Sequence, residues 1–113
     1  MDTLVQKHCR PCEGFEAPLG LAQIKGFLAE LPKGWMLSED AKSISKEFKF
    51  DGFRAAQGFV NAAADIAETE NHHPNVLWRY NKVKLTHTTH VIKGISENDF
   101  ILAAKIEVLL HPK

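Results

Sequence analysis

The sequence predicts a two-layer α+β domain in which a four-stranded antiparallel sheet carries three helices on one face. The spacing of its apolar residues alternates along the chain between helical and strand periods, which predicts elements in the order α-β-β-α-β-β-α. The predicted strand over 43–50 alternates between apolar and polar side chains, which is typical of a strand with one face in water. Two later apolar segments are separated by so few residues that they indicate a hairpin. Helices on one face of such a sheet bury its apolar side and leave the other face open.

A chain of 113 residues is long enough for one domain. We expect this domain over 20–113, after an extended leader over 1–19 that shows no sustained period. The 14 basic and 14 acidic side chains balance, so no net charge attracts nucleic acid or anionic lipid. No apolar run is long enough to span a bilayer, and the first residues do not resemble a secretory signal. With only two cysteines, the composition predicts a cytoplasmic protein without nucleic-acid or membrane partners.

The first half of the domain is predicted to hold one helix and two strands. Apolar residues at helical spacing predict a helix over 19–31, which Pro32 ends. This apolar stripe consists of Leu21, Ile24, Leu28 and Leu31, widened by Phe27. Residues 35–38 resemble a short strand, and a turn over 39–42 leads into the alternating strand.

The second helix is predicted over 53–70, with Asp51 as a candidate N-cap and Pro74 as the stop signal. Its apolar positions recur every three to four residues at Phe53, Ala56, Val60, Ala63 and Ala67. Phe59 and Ile66 broaden this apolar face beyond what one sheet contact needs. Two interpretations stay open: a core helix, or a core helix that also contacts a second subunit.

The second half of the domain is predicted to hold a hairpin and a third helix. Strands over 76–80 and 83–89 flank a turn at Asn81 and Lys82. Ser96 and Asp99 have the spacing of a capping box, which predicts a helix from Ser96 to about Leu110. In the second strand of the hairpin one face holds Val83, Leu85 and His87, and the other holds Lys84, Thr86, Thr88 and His90.

Four of the six histidines lie within 68–99, where the candidate chemistry is concentrated. His72 and His73 leave the second helix, and His90 ends the fourth strand, so these ends can meet at one edge of the sheet. Glu68 lies one helical turn before His72 and is expected to orient its imidazole. Because imidazole exchanges protons near neutral pH, this arrangement predicts a general acid/base pocket.

Other interpretations of these residues remain open at this point. The paired histidines can serve as a polar helix terminus, and three histidines with a carboxylate can bind a metal. One open alternative for Asp99 is a purely structural role as the capping acid of the third helix. For Trp78 and Tyr80 the alternative is a role in packing alone. Cys9 and Cys12 can form half a zinc site completed by His87 and His90, a redox pair, or a free reduced pair.

A longer pattern resembles a known signature. It consists of Glu68, then His72-His73-Pro74, then Tyr80, His90 and Asp99, at fixed spacings. This pattern resembles that of the pterin-4a-carbinolamine dehydratases, small enzymes also called dimerisation cofactors of a homeodomain transcription factor. The similarity extends over about 20–110 and includes Tyr80-Asn81-Lys82-Val83 and Gly94-Ile95-Ser96-Glu97.

The resemblance implies an α+β fold and the dehydration of 4a-hydroxytetrahydropterin to quinonoid dihydropterin, without a metal or organic cofactor. It implies His72, His73 and His90 as catalytic residues, supported by Glu68 and Asp99. The segments implied to contact the pterin are Asn71, His72 and His73, together with Thr88, Thr89 and His90.

The same resemblance implies a homodimer or homotetramer that recycles the pterin cofactor of an aromatic amino acid hydroxylase. The alternative is a non-catalytic oligomeric binding module, which acts as a transcriptional coactivator or an assembly factor. The three histidines favour catalysis, because a scaffold has no physical need of them.

Overall fold

A computed structural model describes residues 3–11 and 17–111 of the chain. It confirms the predicted element order and the α+β class. The helices and strands are α1 (Leu21–Glu30), β1 (Met36–Leu37), β2 (Ile44–Lys49), α2 (Phe53–Glu70), β3 (Asn75–Arg79), β4 (Lys82–His87) and α3 (Glu97–Glu107). Short 3-10 helices lie at Leu4–Gln6, His90–Ile92 and Val108–Leu110. None of the helices in the described ranges is both long and apolar enough to cross a membrane.

The four strands form one antiparallel sheet in the order β1-β2-β4-β3. β4 is therefore an interior strand, although it is the last of the four in the sequence. Ile44 pairs with His87 on one side of β4, and Asn75 pairs with Thr86 on the other. This register brings the end of β4 beside the start of β3, where the chain arrives from α2.

The three helices pack on the same face of the sheet. α2 buries a stripe of small and aromatic residues against β2 and β4, together with Leu102 and Ile106 of α3. α1 packs beside α3, where the rings of Phe27 and Phe100 stack with their centroids 5.1 Å apart. The buried side chains that β2, β4 and α2 supply are Ile44, Phe48, Val83, Leu85, Ala56, Phe59, Ala63 and Ala67. Burial of this apolar surface is the main term that stabilises the domain.

The structure corrects two local expectations. Gly52, not Asp51, is the N-cap of α2, and its extended backbone begins the helix without a side-chain cap. The hairpin turn consists of Tyr80 and Asn81, one residue earlier than predicted, because Arg79 pairs directly with Lys82. Tyr80 takes the left-handed conformation with φ of 49°, which allows this tight connection.

Aromatic residues in the hairpin turn and just before it pack at the start of α2. The rings of Phe53 and Trp78 stack with their centroids 4.5 Å apart, and Tyr80 lies beside Phe53. The indole N–H of Trp78 donates to the Tyr80 carbonyl at 2.8 Å. Trp78 and Tyr80 therefore have the packing role that the sequence left open.

The segment 3–11, which we call the N-terminal strap, lies against α3. Leu4 is buried in the core, and the Lys7 ammonium lies 2.6 Å from a carboxylate oxygen of Glu97. The backbone N–H of Cys9 donates to Glu70 at 2.8 Å. These contacts fix a segment whose sequence shows no period, while the division of the chain into a leader and a domain stays a prediction.

Candidate active site

The end of α2 determines where the paired histidines lie. Asn71 takes the left-handed conformation with φ of 53° and ψ of 41°, which asparagine tolerates better than most residues. The N–H of His72 donates to the Ala67 carbonyl and the N–H of Asn71 to that of Glu68, which together form a Schellman motif. The chain therefore turns away from the helix axis at Asn71, and His72 no longer continues the face that carries Glu68.

His72 is paired with Asp99 across the domain. Its Nε2 lies 2.6 Å from Oδ1 of Asp99, a fully buried carboxylate in the first turn of α3. The other oxygen of Asp99 accepts from the Thr89 hydroxyl at 2.8 Å and from the Ser96 backbone N–H at 3.0 Å. Asp99 therefore caps α3 as predicted and also holds the ring of His72. With Nε2 directed at the carboxylate, Nδ1 is the nitrogen of His72 that can meet a ligand.

His73 has a different partner and a different environment. Its Nε2 lies 2.8 Å from Oε1 of Glu68, and the side chains are 55% and 82% exposed respectively. The expected contact between Glu68 and His72 is wrong, because the turn at Asn71 directs His72 towards Asp99. Adjacent histidines thus have a buried and a solvent-exposed carboxylate as partners.

The loop after β4 supplies the opposite wall of the site. β4 ends at His87, so His90 lies in a short 3-10 helix rather than in the strand. The backbones of Thr89 and Gly94 pair with each other and close this loop. Gly94 is required there, because a Cβ at this position would lie 2.6 Å from the Cβ of Pro18.

These segments enclose one cleft with a volume of about 420 Å³, a size typical of small-molecule sites. Six predicted residues line it, namely Asn71, His72, His73, Thr88, Thr89 and His90. Asp99 does not line the cleft itself but pairs with His72, which does, whereas Glu68 pairs with His73 at the protein surface. Tyr80 and Trp78 are not among the described residues that line the cleft.

Sequence reasoning missed four further residues that line the cleft: Arg10, Pro11, Val91 and Asn98. Arg10 and Pro11 belong to the N-terminal strap, which carries no period that would connect it with the site. The buried amide of Asn98 accepts from the Arg10 N–H at 2.9 Å and donates to the Arg10 carbonyl at 2.6 Å. Such a long-range pair leaves no local signal in the sequence.

His87 lies beneath the site on the inner face of β4. It is 1% exposed, its ring packs 5.3 Å from that of Trp35, and neither ring nitrogen has a hydrogen-bond partner in the described structure. Burial lowers the pKa of His87 to about 4, although the Asp99 charge opposes this shift. His87 is therefore a neutral core residue at physiological pH.

The described residues give no support to a metal or redox site. They contain no group of three or more histidine, cysteine or acidic side chains arranged to hold a metal ion. Cys12 lies outside the described ranges, so a pairing with Cys9 stays untested. Burial, followed by the charges of Glu70 and Asp99, raises the pKa of Cys9 to about 12. A thiol that stays protonated is a poor redox nucleophile.

Comparison with known proteins adds an independent finding. The sequence profile of a family described as pterin 4 alpha carbinolamine dehydratase matches residues 17–109. A protein of Nitrosospira multiformis, which carries the provisional name pterin-4-alpha-carbinolamine dehydratase, is 45% identical over 111 residues. That match covers 98% of this chain and 96% of the relative.

Two solved structures are also similar. A protein of Brucella melitensis described as a transcriptional coactivator/pterin dehydratase is 34% identical, with a TM-score of 0.77. The match covers 81% of this chain and 97% of that protein. A pterin dehydratase-like protein identified as a RuBisCO assembly factor in the alpha-carboxysome has a TM-score of 0.59 and is 22% identical, so this likeness concerns the fold alone. It covers 67% of this chain and 88% of that protein.

Proposed function

The chain belongs to the pterin 4 alpha carbinolamine dehydratase family, and we propose that it dehydrates 4a-hydroxytetrahydropterin to quinonoid dihydropterin by histidine acid/base catalysis. One observation carries the proposal. A single cleft brings together His72, His73 and His90, and His72 is held by the buried carboxylate of Asp99. The cleft is of a size that suits a bicyclic ligand.

The proposed reaction requires two proton transfers. The C4a–O bond breaks, and a general acid supplies the proton with which the hydroxyl group leaves as water. A general base takes the proton from N5, and the electron pair of that N–H bond forms the C4a=N5 double bond. Two of the three imidazoles serve in these roles, and each role contributes about 10²–10⁴-fold to the rate.

The contact between His72 and Asp99 supports a proton-transfer role for His72 in particular. A carboxylate that accepts from one ring nitrogen fixes the tautomer, so the other nitrogen faces the substrate. The same negative charge stabilises the imidazolium that forms when His72 accepts a proton. Thr89 and Ser96 hold the carboxylate in place from the opposite side.

Further parts of the proposal concern partners. We propose that the pterin substrate comes from an aromatic amino acid hydroxylase, and that the protein acts as a homodimer or homotetramer. The rival proposal is a non-catalytic binding module, such as a coactivator or an assembly factor. The arrangement of His72 on a buried carboxylate favours catalysis, because a binding module does not need a ring with a fixed tautomer.

The test measures the rate at which the short-lived 4a-carbinolamine is lost in the presence of purified protein, followed by ultraviolet absorbance. We expect acceleration over buffer and a fall of about 10²-fold or more when His72 or His90 is replaced by alanine. The control is Arg54→Gln at the opposite end of α2, which should keep the wild-type rate. No acceleration by the wild-type protein would remove the enzyme proposal and favour the binding module.

A further inference from the structure

The N-terminal strap lines the cleft with Arg10 and Pro11. The amide group of Asn98 pairs with both the N–H and the carbonyl of Arg10, much as a neighbouring β-strand would. Asn98 is buried, and the two partly buried hydrogen bonds hold the backbone of Arg10 in one position. The strap therefore forms a fixed wall of the cleft at this point.

A second set of contacts anchors the strap one residue earlier. The buried carboxylate of Glu70 accepts from the Cys9 N–H at 2.8 Å and contacts Nδ1 of His8 at 3.0 Å. Burial raises the pKa of Glu70, but these hydrogen bonds and the positive charges of Lys105 and His8 together hold the pKa below its usual range. Glu70 is thus an anionic anchor, and it lies one residue before the turn that positions the paired histidines.

The side chain of Arg10, unlike its backbone, is exposed and held only weakly. It is 83% exposed, and its Nη2 lies 3.5 Å from Oε1 of Glu97, at the limit of a hydrogen bond. Lys7 contacts the same carboxylate more closely, at 2.6 Å. A guanidinium has five N–H donors, so Arg10 can still bind a second anion.

Arg10 also stands between two cavities. The cleft with the histidines shares Arg10, Pro11 and Asn98 with a neighbouring cavity of about 330 Å³. Among the described residues that line the cleft, Arg10 carries the one permanent charge and none is a carboxylate, whereas Glu97 lines the neighbouring cavity. A substituent that leaves the cleft past the strap must therefore pass a guanidinium.

We propose that Arg10 determines substrate specificity by binding an anionic substituent, a carboxylate or a phosphate, on the pterin. This inference rests on the proposed function, because it needs a pterin in the cleft. A guanidinium binds both anions through paired N–H donors, and an exposed side chain on a fixed backbone can adjust to either. The neighbouring cavity would accept the part of the substituent beyond the anion.

The test compares two pterins that differ in a single group, pterin-6-carboxylate and the neutral 6-hydroxymethylpterin. Binding to the full chain is followed by quenching of pterin fluorescence at low ionic strength. We expect the wild-type protein to prefer the carboxylate by about fivefold or more, and to lose much of this preference in high salt. Arg10→Gln should bind the two pterins within about twofold of each other, and Arg10→Lys should keep part of the preference.

The matched control is Arg54→Gln, which also removes one exposed guanidinium. Arg54 lies near the start of the 18-residue helix α2, about 25 Å from the end that leads to the site. This variant should keep the wild-type preference. A wild-type protein without preference, or an Arg10→Gln variant that keeps it, would overturn the role of Arg10 while leaving the proposed function standing. A wild-type protein that binds neither pterin would overturn both.

Discussion

The two adjacent histidines at the end of α2 have carboxylate partners in opposite environments. His72 is largely buried and meets the buried Asp99 at 2.6 Å, whereas His73 meets the exposed Glu68 at 2.8 Å. Water screens the pair of His73 and Glu68, the outer pair, so it contributes little to stability or to ring orientation. The pair of His72 and Asp99, the inner pair, lies in a low-dielectric environment and is bound to the start of α3. The comparison teaches that the environment of the partner, rather than its presence, separates the roles of two identical side chains.

The largest effect should come from the inner carboxylate. We expect Asp99→Asn to lower the dehydration rate by about 10²–10⁴-fold, because it removes the charge that orients His72 and stabilises its imidazolium. It should also lower the free energy of unfolding by about 2 kcal/mol, since Asp99 accepts buried hydrogen bonds. Carbinolamine decay and urea denaturation of the same samples measure the two effects.

Ser96→Ala is the matched control for Asp99→Asn. It removes the Ser96 hydroxyl, which bonds to the Thr89 hydroxyl at 2.8 Å, and leaves the carboxylate in place. We expect a loss of about 1 kcal/mol in stability with a rate within a few fold of wild type. If Asp99→Asn also kept a near-wild-type rate, Asp99 would be only the cap of α3. The different environments of His72 and His73 would then have no bearing on the dehydration rate.

The next effect, on stability alone, should come from His87, which is buried beside the inner pair and has no hydrogen-bond partner among the described residues. Its pKa of about 4 lies below the ordinary value of 6.5, so between these values the unfolded chain binds a proton that the native protein does not. Stability therefore falls as the pH decreases through this window. His87→Leu cannot titrate, so its stability relative to wild type should rise by roughly 3 kcal/mol between pH 7 and pH 4.

Urea midpoints of the wild type and His87→Leu at pH 7, 5.5 and 4 measure this difference, in which other titrating groups largely cancel. A difference that stays constant with pH would mean that His87 acquires a partner for its proton.

The smallest effect should come from the outer carboxylate. Glu68→Gln can keep a hydrogen bond to His73 and removes only a charge that is 82% exposed. We expect a dehydration rate within about threefold of wild type and a nearly unchanged urea midpoint, because exposed ion pairs contribute little. A loss comparable to that of Asp99→Asn would show that His73, rather than His72, depends on its carboxylate.

The sequence predicted the fold well because each element carries its own period and stop signals. The convergence of His72, His73 and His90 also followed from chain order, since all three flank the β3–β4 hairpin. The partner of His72 was not predictable from helical spacing, because Asn71 breaks the helix at the residue before it. Arg10 and Asn98 were missed because contacts between segments about 90 residues apart have no local pattern.

The position of β4 inside the sheet has a consequence for how the protein is synthesised. β4 is the last strand in the sequence, yet β2 and β3 reach each other only through it. A nascent chain that ends before residue 82 can therefore pair only the short β1 with β2. His72 cannot pair with Asp99 until the ribosome has added a further twelve residues after the end of β4. The cleft is among the last parts of the domain to be completed on the ribosome, and a truncated chain lacks it.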